Sequence, residues 1–345
     1  MSISKFTVSR DDSVYEAWPD VALTKSGRLV CVFAECEHHG DRTNARIMIT
    51  ESGDRGRTWS PKRPLTEKGT KERFYNCPRL SLLPDGRLCL VCDLLFGPEK
   101  PETKTEIHLW TSPDEGETWQ GPVATPATGI VPDRYRVLSS GRHVLSSHWM
   151  SEKTGKLAQH LWYSDDAGAN WQGPVTVADD ERYALCEGSI LETPTGELVC
   201  FLRENSARGL DCMKTISRDG GKTWSDVCLV PLPACHRPVA GYLQSGEILV
   251  THRFMQGGKG WLGAWTQNVF AALLRPDQVL ETERKAQSAR ILPLDFDRSP
   301  RSDLGYTGWV QFPDGEIYVV NYITDDAPKA QIRGYSLCRE DFILD

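Results

Sequence analysis

Ser217-Arg218-Asp219-Gly220-Gly221-Lys222-Thr223-Trp224 is one of four near-copies of a single pattern, Ser-x-Asp-x-Gly-x-Thr-Trp. The others occupy residues 52–59, 112–119 and 164–171, with Asn170 in the place of Thr in the third. Spacings of about fifty to sixty residues are those of stacked supersecondary units. The residue types describe a turn between two strands. The Asp side chain accepts hydrogen bonds from backbone N–H groups of its own loop, the Gly relaxes φ, and the Trp covers the adjoining apolar layer. This turn chemistry accounts for Asp54, Asp114, Asp166 and Asp219 without any catalytic role.

Upstream of each copy lies a second signature: an apolar run, a glycine turn, and another apolar run. It occurs six times, at Ser26-Gly27, Asp85-Gly86, Ser140-Gly141, Thr195-Gly196, Ser245-Gly246 and Asp314-Gly315. Short strands joined by such turns are hairpins. The eight-residue pattern resembles the Asp-box of the sialidase-type β-propellers. Six hairpins, four followed by a box, imply an all-β, six-bladed β-propeller. Blades five and six lack the box. The chain ends soon after an apparent third strand of blade six at 331–337, so residues 5–10 are expected to supply that blade's outer strand and remove the free edge. One domain, 1–345, is expected, with 97–104 a solvated loop in blade two.

The net charge of −7 argues against nucleic acid as a partner. No apolar run is long enough to span a membrane, and the start has no apolar leader segment. The eleven cysteines show no paired CxxC spacing and fall mostly within strands. They read as small buried hydrophobes in a reducing compartment, with no metal site and no cofactor. A cytoplasmic location is the expectation.

In a propeller the first strand of each blade begins, and the second ends, at one rim of the central funnel. Counting back from each turn selects Trp18, Cys77, Pro132, Glu187, Arg237 and Tyr306. Counting forward selects Glu35, Asp93, His148, Arg203, His252 with Arg253, and Tyr322. Carboxylates, guanidinium groups, imidazoles and phenols at such positions suit a polar, anionic ligand.

Over essentially its whole length the chain resembles the sialidases. The stretch from Gly305 through Tyr306 to Asp314-Gly315 is similar to the one that carries their tyrosine nucleophile. Cys186-Glu187-Gly188-Ser189, running on to Arg203, is similar to the segment that carries the partner glutamate and an arginine of the carboxylate-binding triad. Ala234-Cys235-His236-Arg237-Pro238 sits where a further triad arginine arises. The resemblance therefore implies a retaining exo-glycosidase of a terminal carbohydrate. Tyr306 would be its nucleophile, Glu187 the base of Tyr306, and Arg203 and Arg237 anion clamps. The chemistry is coherent on its own terms. A neutral phenol suits an anomeric carbon that already bears a carboxylate, and a phenol attacks only if a base takes its proton.

The general acid is expected from Glu37-His38-His39-Gly40-Asp41-Arg42, the loop after blade one's second strand. Asp41 is the first choice there and His39 the second. The sequence departs from the resemblance in blade one. Ala17 stands where the leading triad arginine is expected, and Glu37 where another arginine is usual. Arg79, Arg134 or Arg136 would then have to compensate. Trp18, Asp93, His148, His252 and Tyr322 complete the expected substrate contacts. Two alternatives stay open: a polysaccharide lyase using Tyr306 with His148 or His252, and a non-catalytic propeller that binds a glycan or a protein.

Overall fold

The structure, a computed structural model, describes residues 3–97, 105–256 and 266–343. Apart from Gly97, the expected loop at 97–104 therefore lies outside the described residues.

Six antiparallel sheets succeed one another along the chain and close into a six-bladed β-propeller. Blade one runs outward through Tyr15–Leu23, Leu29–Cys36, Arg46–Ser52 and Arg63–Pro64. Blade four repeats the plan with Leu185–Glu192, Leu198–Glu204, Asp211–Ser217 and Cys228–Pro233. Blade six has three strands of its own, Leu304–Gln311, Ile317–Ile323 and Gln331–Leu337. Its fourth is Ser4–Ser9, paired antiparallel with Gln331–Leu337 so that Phe6 faces Gly334. The first strand thus joins the last blade, as the sequence led one to expect. The six hairpin glycines all take left-handed φ, between 83° and 96°, a conformation open to glycine because it has no Cβ.

Each Asp-box closes the same small network. In the first, Asp54 Oδ1 accepts the Thr58 N–H at 2.9 Å and Oδ2 accepts the Thr58 hydroxyl at 2.6 Å. Ser52 Oγ receives the Gly56 N–H at 2.8 Å. In the third, the Asn170 amide replaces the threonine hydroxyl and reaches Asp166 at 2.7 Å. These donors hold the Asp54 and Asp166 carboxyls down at about 2. The indole N–H of Trp59, Trp119 and Trp224 donates to the box glycine's carbonyl. The apolar core is divided into layers wedged between neighbouring blades, such as Leu161, Leu185 and Leu198 between blades three and four. All eleven cysteines are free, and nine are buried in these layers.

The first strands carry the feature that positions the site. Trp18, Val131, Glu187, Arg237 and Tyr306 all have φ between 50° and 56°. In blades one, four, five and six the pairing register slips by one residue at this point. A bulge with a left-handed residue re-aims one side chain at the end of a strand. In blade three that residue is Val131, one position before the expected Pro132. A non-glycine residue in this region costs about 1–3 kcal/mol unless its surroundings enforce it. Four bonds between neighbouring blades brace the strands beside these residues. Asp20 accepts the Leu80 N–H, Asp93 the Val131 N–H, Asp133 the Ile190 N–H, and Ser189 Oγ the Ala240 N–H, at 2.8–3.1 Å.

Candidate active site

Two of the left-handed residues meet across the channel. The Tyr306 hydroxyl donates to Glu187 Oε1 at 2.5 Å. The same oxygen accepts Arg203 Nη1 at 2.7 Å. Tyr306 is 8% exposed and Glu187 4%, so the pair sits at the floor of the funnel. Burial raises the Tyr306 hydroxyl well above its ordinary value, and the neighbouring Glu187 charge adds to this. For Glu187 burial pulls upward, but Arg203, then His148, Arg253 and Arg237, hold the carboxyl well below the usual range. At rest, therefore, the proton stays on the phenol and the carboxylate is ionised. His148 Nδ1 receives the Glu187 backbone N–H at 3.3 Å and so supports the bulge from blade three. Burial lowers that imidazole to about 4, which leaves it neutral.

Blades four and five form a cationic wall. The guanidinium carbons of Arg237 and Arg253 each lie 5.7 Å from the Tyr306 ring centre. Arg237 is completely buried, and its Nη2 donates to the Pro132 carbonyl at 2.9 Å. Its Nε and Nη1 have no hydrogen-bond partner among the described residues, nor have Arg203 Nε, Arg253 Nε and Glu187 Oε2. Buried charged donors without partners are costly, and here they converge on one carboxylate–phenol pair. An anionic ligand group would satisfy them.

Blades six and one form an aromatic wall. The Tyr322 ring lies 6.3 Å from that of Tyr306 and 6.2 Å from that of Trp18. Trp18 meets His39 edge-on at 5.5 Å and carries the Arg42 guanidinium at 5.5 Å. Behind these rings lies Asp303, which accepts the hydroxyls of Tyr322, at 2.9 Å, and of Tyr15. His39 Nδ1 lies 2.8 Å from Asp303 Oδ2. Ala17 is completely buried, so blade one offers no guanidinium from that position.

Several expected contacts are engaged elsewhere. Arg79 lies deep in the channel, donating to the Pro19 and Thr307 carbonyls and pairing with Asp20 at 3.3 Å. Arg134 also grips Asp20. Asp93 accepts the N–H groups of Cys77 and Val131 and the Asn76 amide, so it ties blade two to blade three. Arg136 bonds Asp133 and lines a hollow of about 640 Å3 beside the hairpin turns, at the opposite mouth. His252 is fully buried against Phe270, with Nδ1 on the Arg253 carbonyl. Glu37 is exposed and pairs with Lys329. Asp41 is exposed at a hairpin tip, where it accepts the N–H and hydroxyl of Thr43. The Thr43 hydroxyl foremost holds its carboxyl below the ordinary value. Asp303, Tyr15 and Arg42 were not among the expected contacts. A signal for two of them was present, since Tyr15 precedes Trp18 by the same three positions as Asp303 precedes Tyr306. Among the described residues no His, Cys, Asp and Glu cluster has the makings of a metal site.

Known proteins share this framework. The curated sialidase of Paraclostridium sordellii is 23% identical over 193 residues, 47% of this chain and 48% of that protein. The chain thus spans about half the length of that curated relative. A protein of unknown function from Dyadobacter fermentans superposes with a TM-score of 0.79 at 22% identity, covering 97% of this chain and 99% of its own. The intramolecular trans-sialidase of Ruminococcus gnavus, in complex with oseltamivir carboxylate, gives 0.68 at 15% identity, with 96% of each chain covered. The family model for the BNR repeat-like domain matches residues 68–319. With most of the ring inside that match, the chain belongs to the BNR repeat-like family.

Proposed function

We propose that this propeller is a retaining exo-glycosidase of sialidase type, which releases a terminal sugar carrying a carboxylate at or beside its anomeric carbon. The observation that carries the reading is the 2.5 Å bond between Tyr306 and Glu187, flanked by buried arginine donors that lack partners. A carboxylate nucleophile would meet like-charge repulsion at such a carbon, whereas a phenol does not. Its ordinary pKa of about 10 makes a neutral phenol a weak nucleophile, so a base must remove its proton as the new bond forms. Glu187 is in hydrogen-bond contact with that proton. Its depressed pKa makes it a weak base while the arginines are unoccupied. A substrate carboxylate seated on Arg203, Arg237 and Arg253 offsets their charge and returns Glu187 toward ordinary basicity. Binding of the correct anion then switches on the nucleophile, which favours acidic over neutral sugars.

The lack of an arginine at Ala17 supports a reading in which blades four and five recognise the anion while blades six and one pack against the sugar ring. The Tyr306–Glu187 pair also favours hydrolysis over the two other readings. The lyase considered from the sequence would use His148 or His252, and His148 is engaged with the Glu187 backbone while His252 faces Phe270. A purely binding propeller has no use for a phenol bonded to an ionised carboxylate. The test is a panel of aryl glycosides of keto-sugar acids, uronic acids and neutral sugars, followed by trapping with a fluorinated glycosyl fluoride of whichever sugar turns over. The expected result is release of an acidic sugar and a peptide adduct on Tyr306 by mass spectrometry. An adduct on another residue, or binding of sugars without turnover across the panel, defeats the proposal.

A further inference from the structure

We infer that the acid/base group of this site is His39, oriented by Asp303, and not a carboxylic acid of the same loop. The inference rests on the proposed glycosidase reading and adds the residue that handles the leaving group.

The geometry comes from three elements. Asp303, just ahead of the Leu304–Gln311 strand, is held by hydroxyl donors from two blades, Tyr15 and Tyr322. Its Oδ2 meets His39 Nδ1 at 2.8 Å. Asp303 is an ionised anchor. Burial opposes its charge, but the bonds from His39, Tyr15 and Tyr322 keep it below its ordinary value. A carboxylate on Nδ1 fixes that nitrogen as the N–H donor and leaves Nε2 to carry or accept the moving proton. The His39 side chain is 43% exposed, and its Nε2 has no partner among the described residues. The ring stands edge-on to Trp18, which packs on Tyr322, which packs on Tyr306. His39 thus ends a chain of rings that starts at Tyr306, and unlike the three buried rings it is open to solvent, the side from which a departing group would leave. Other titratable or charged groups around it are Tyr15 and Tyr322 from blades one and six, and His38, Asp41 and Arg42 from its own loop. Asp41 contrasts on every count: it is exposed, bonded to Thr43, and an ionised carboxylate with no proton to give at neutral pH.

Tyr306 Oη forms a bond to the anomeric carbon while its proton passes to Glu187. The glycosidic C–O bond breaks, its electron pair stays on the departing oxygen, and that oxygen takes the proton from His39 Nε2. In the second half neutral His39 removes a proton from water, and the hydroxide oxygen bonds to the anomeric carbon. The Tyr306–carbon bond breaks, and the phenolate regains its proton from Glu187. The sum is one glycoside and one water converted to a free sugar and an alcohol.

The experiment compares two glycosides of one sugar, an unactivated disaccharide and a dinitrophenyl glycoside whose leaving group needs no proton. His39→Ala is expected to lower kcat on the disaccharide by about 10²–10⁴-fold, and first-step turnover of the dinitrophenyl glycoside by less than about tenfold, with azide restoring the second step. His39→Gln should do the same, which guards against a loop that fails to fold after truncation. In Asp303→Asn, a positioning variant, kcat on the disaccharide should fall while first-step turnover of the dinitrophenyl glycoside changes little, and Asp303→Glu should recover part of the loss. Asp41→Asn should leave both substrates near wild type. If Asp41→Asn shows the leaving-group-dependent loss and the His39 variants do not, the inference is wrong while the glycosidase stands. Equal loss on both substrates in His39→Ala and His39→Gln also overturns it. Absence of turnover by the wild-type protein removes the glycosidase reading itself.

Discussion

The two ends of the central channel are built from the same side chains and use them in opposite ways. Toward the hairpin turns, Asp20 receives Arg134, Arg79 and the Leu80 N–H, and the two outer nitrogens of Arg79 end on backbone carbonyls of blades one and six. Toward the funnel, Arg203, Arg237 and Arg253 surround one carboxylate, and each keeps at least one buried nitrogen without a partner. The first arrangement joins blades; the second is the one proposed to take an anionic group. Residue type does not distinguish the two ends. Unpartnered nitrogens do not either, since Arg79 Nε and Arg136 Nη2 also lack a hydrogen bond. What differs is the partner: Asp20 and backbone carbonyls at one end, and a carboxylate already bonded to a phenol at the other. The substitutions below separate the two.

The largest effect is expected at the funnel. Tyr306→Phe removes the nucleophilic oxygen and should bring turnover of the acidic glycoside near background. Glu187→Gln, which keeps the shape but removes the base, should lower kcat by about 10²–10⁴-fold. Tyr306→Phe should not move the thermal midpoint by more than a few degrees, because the ring keeps its volume, whereas Glu187→Gln takes the counter-charge from Arg203 and should lower it. At the other end the outcome should be reversed. Asp20→Ala strands Arg134 and Arg79 without their counter-charge, and breaking a buried pair in this way costs about 3–5 kcal/mol. Chemical denaturation should show that loss, while KM of the protein that remains folded stays within about twofold, since Asp20 touches no funnel residue and the change carries little binding energy. A large KM change in Asp20→Ala would mean that the channel end and the funnel are one unit.

This contrast also explains what was legible in the sequence. The Asp-boxes and hairpin turns were readable because each is a local contract, made by residues within eight positions of one another. The strand supplied by residues 4–9 was readable because blade six was one strand short. The Tyr306–Glu187 contact was reached by counting to the same place in each blade, and the bulge gives that place a constant backbone conformation. Arg79 and Arg136 were misplaced for a physical reason: whether an arginine faces ligand or backbone depends on what the neighbouring blade offers. Asp93 fails in the same way, since its partners Cys77 and Val131 come from two blades. Asp303 escaped because it lies one bulge-length farther out than the positions counted, beyond the strand pattern.

Arg237 and Arg79 sharpen the comparison at intermediate size, because both are almost wholly buried. Arg237→Met should lower kcat/KM by about 10- to 150-fold, the loss of one or two hydrogen bonds between charged groups. It should cost less stability than Arg79→Met, since only the Pro132 carbonyl loses its partner and a guanidinium with two unpartnered nitrogens is replaced by an apolar chain of similar length. Arg79→Met leaves Asp20 with Arg134 alone and orphans the Pro19 and Thr307 carbonyls, so it should lower stability with little change in kcat/KM. If both variants lose stability equally, the funnel arginines are structural and the anion-site argument fails.

The smallest effect is a difference in pH response. Burial lowers His148 and His252 to about 4 and, with help from Arg203 and Arg253, His236 to about 2. These histidines are neutral in the folded protein at pH values where the unfolded chain, titrating near the ordinary value of about 6.5, already binds protons. Stability is therefore highest above about pH 6.5 and falls as the pH drops toward about 4, because unfolding takes up protons throughout that window. Asp20 works lower on the scale. Burial opposes its charge, but Arg134 and Arg79 hold it below its ordinary 3.8, so its contribution persists until the pH falls beneath that value. Thermal midpoints measured from pH 8 to 3 should thus decline in two stages. His236→Gln or His252→Gln should flatten the first stage only, and Asp20→Asn the second only. A single transition below pH 4, unchanged by the histidine substitutions, would show that these imidazoles take up protons in the folded protein as readily as in the unfolded chain, adding positive charge beside the arginines only below about pH 6.5.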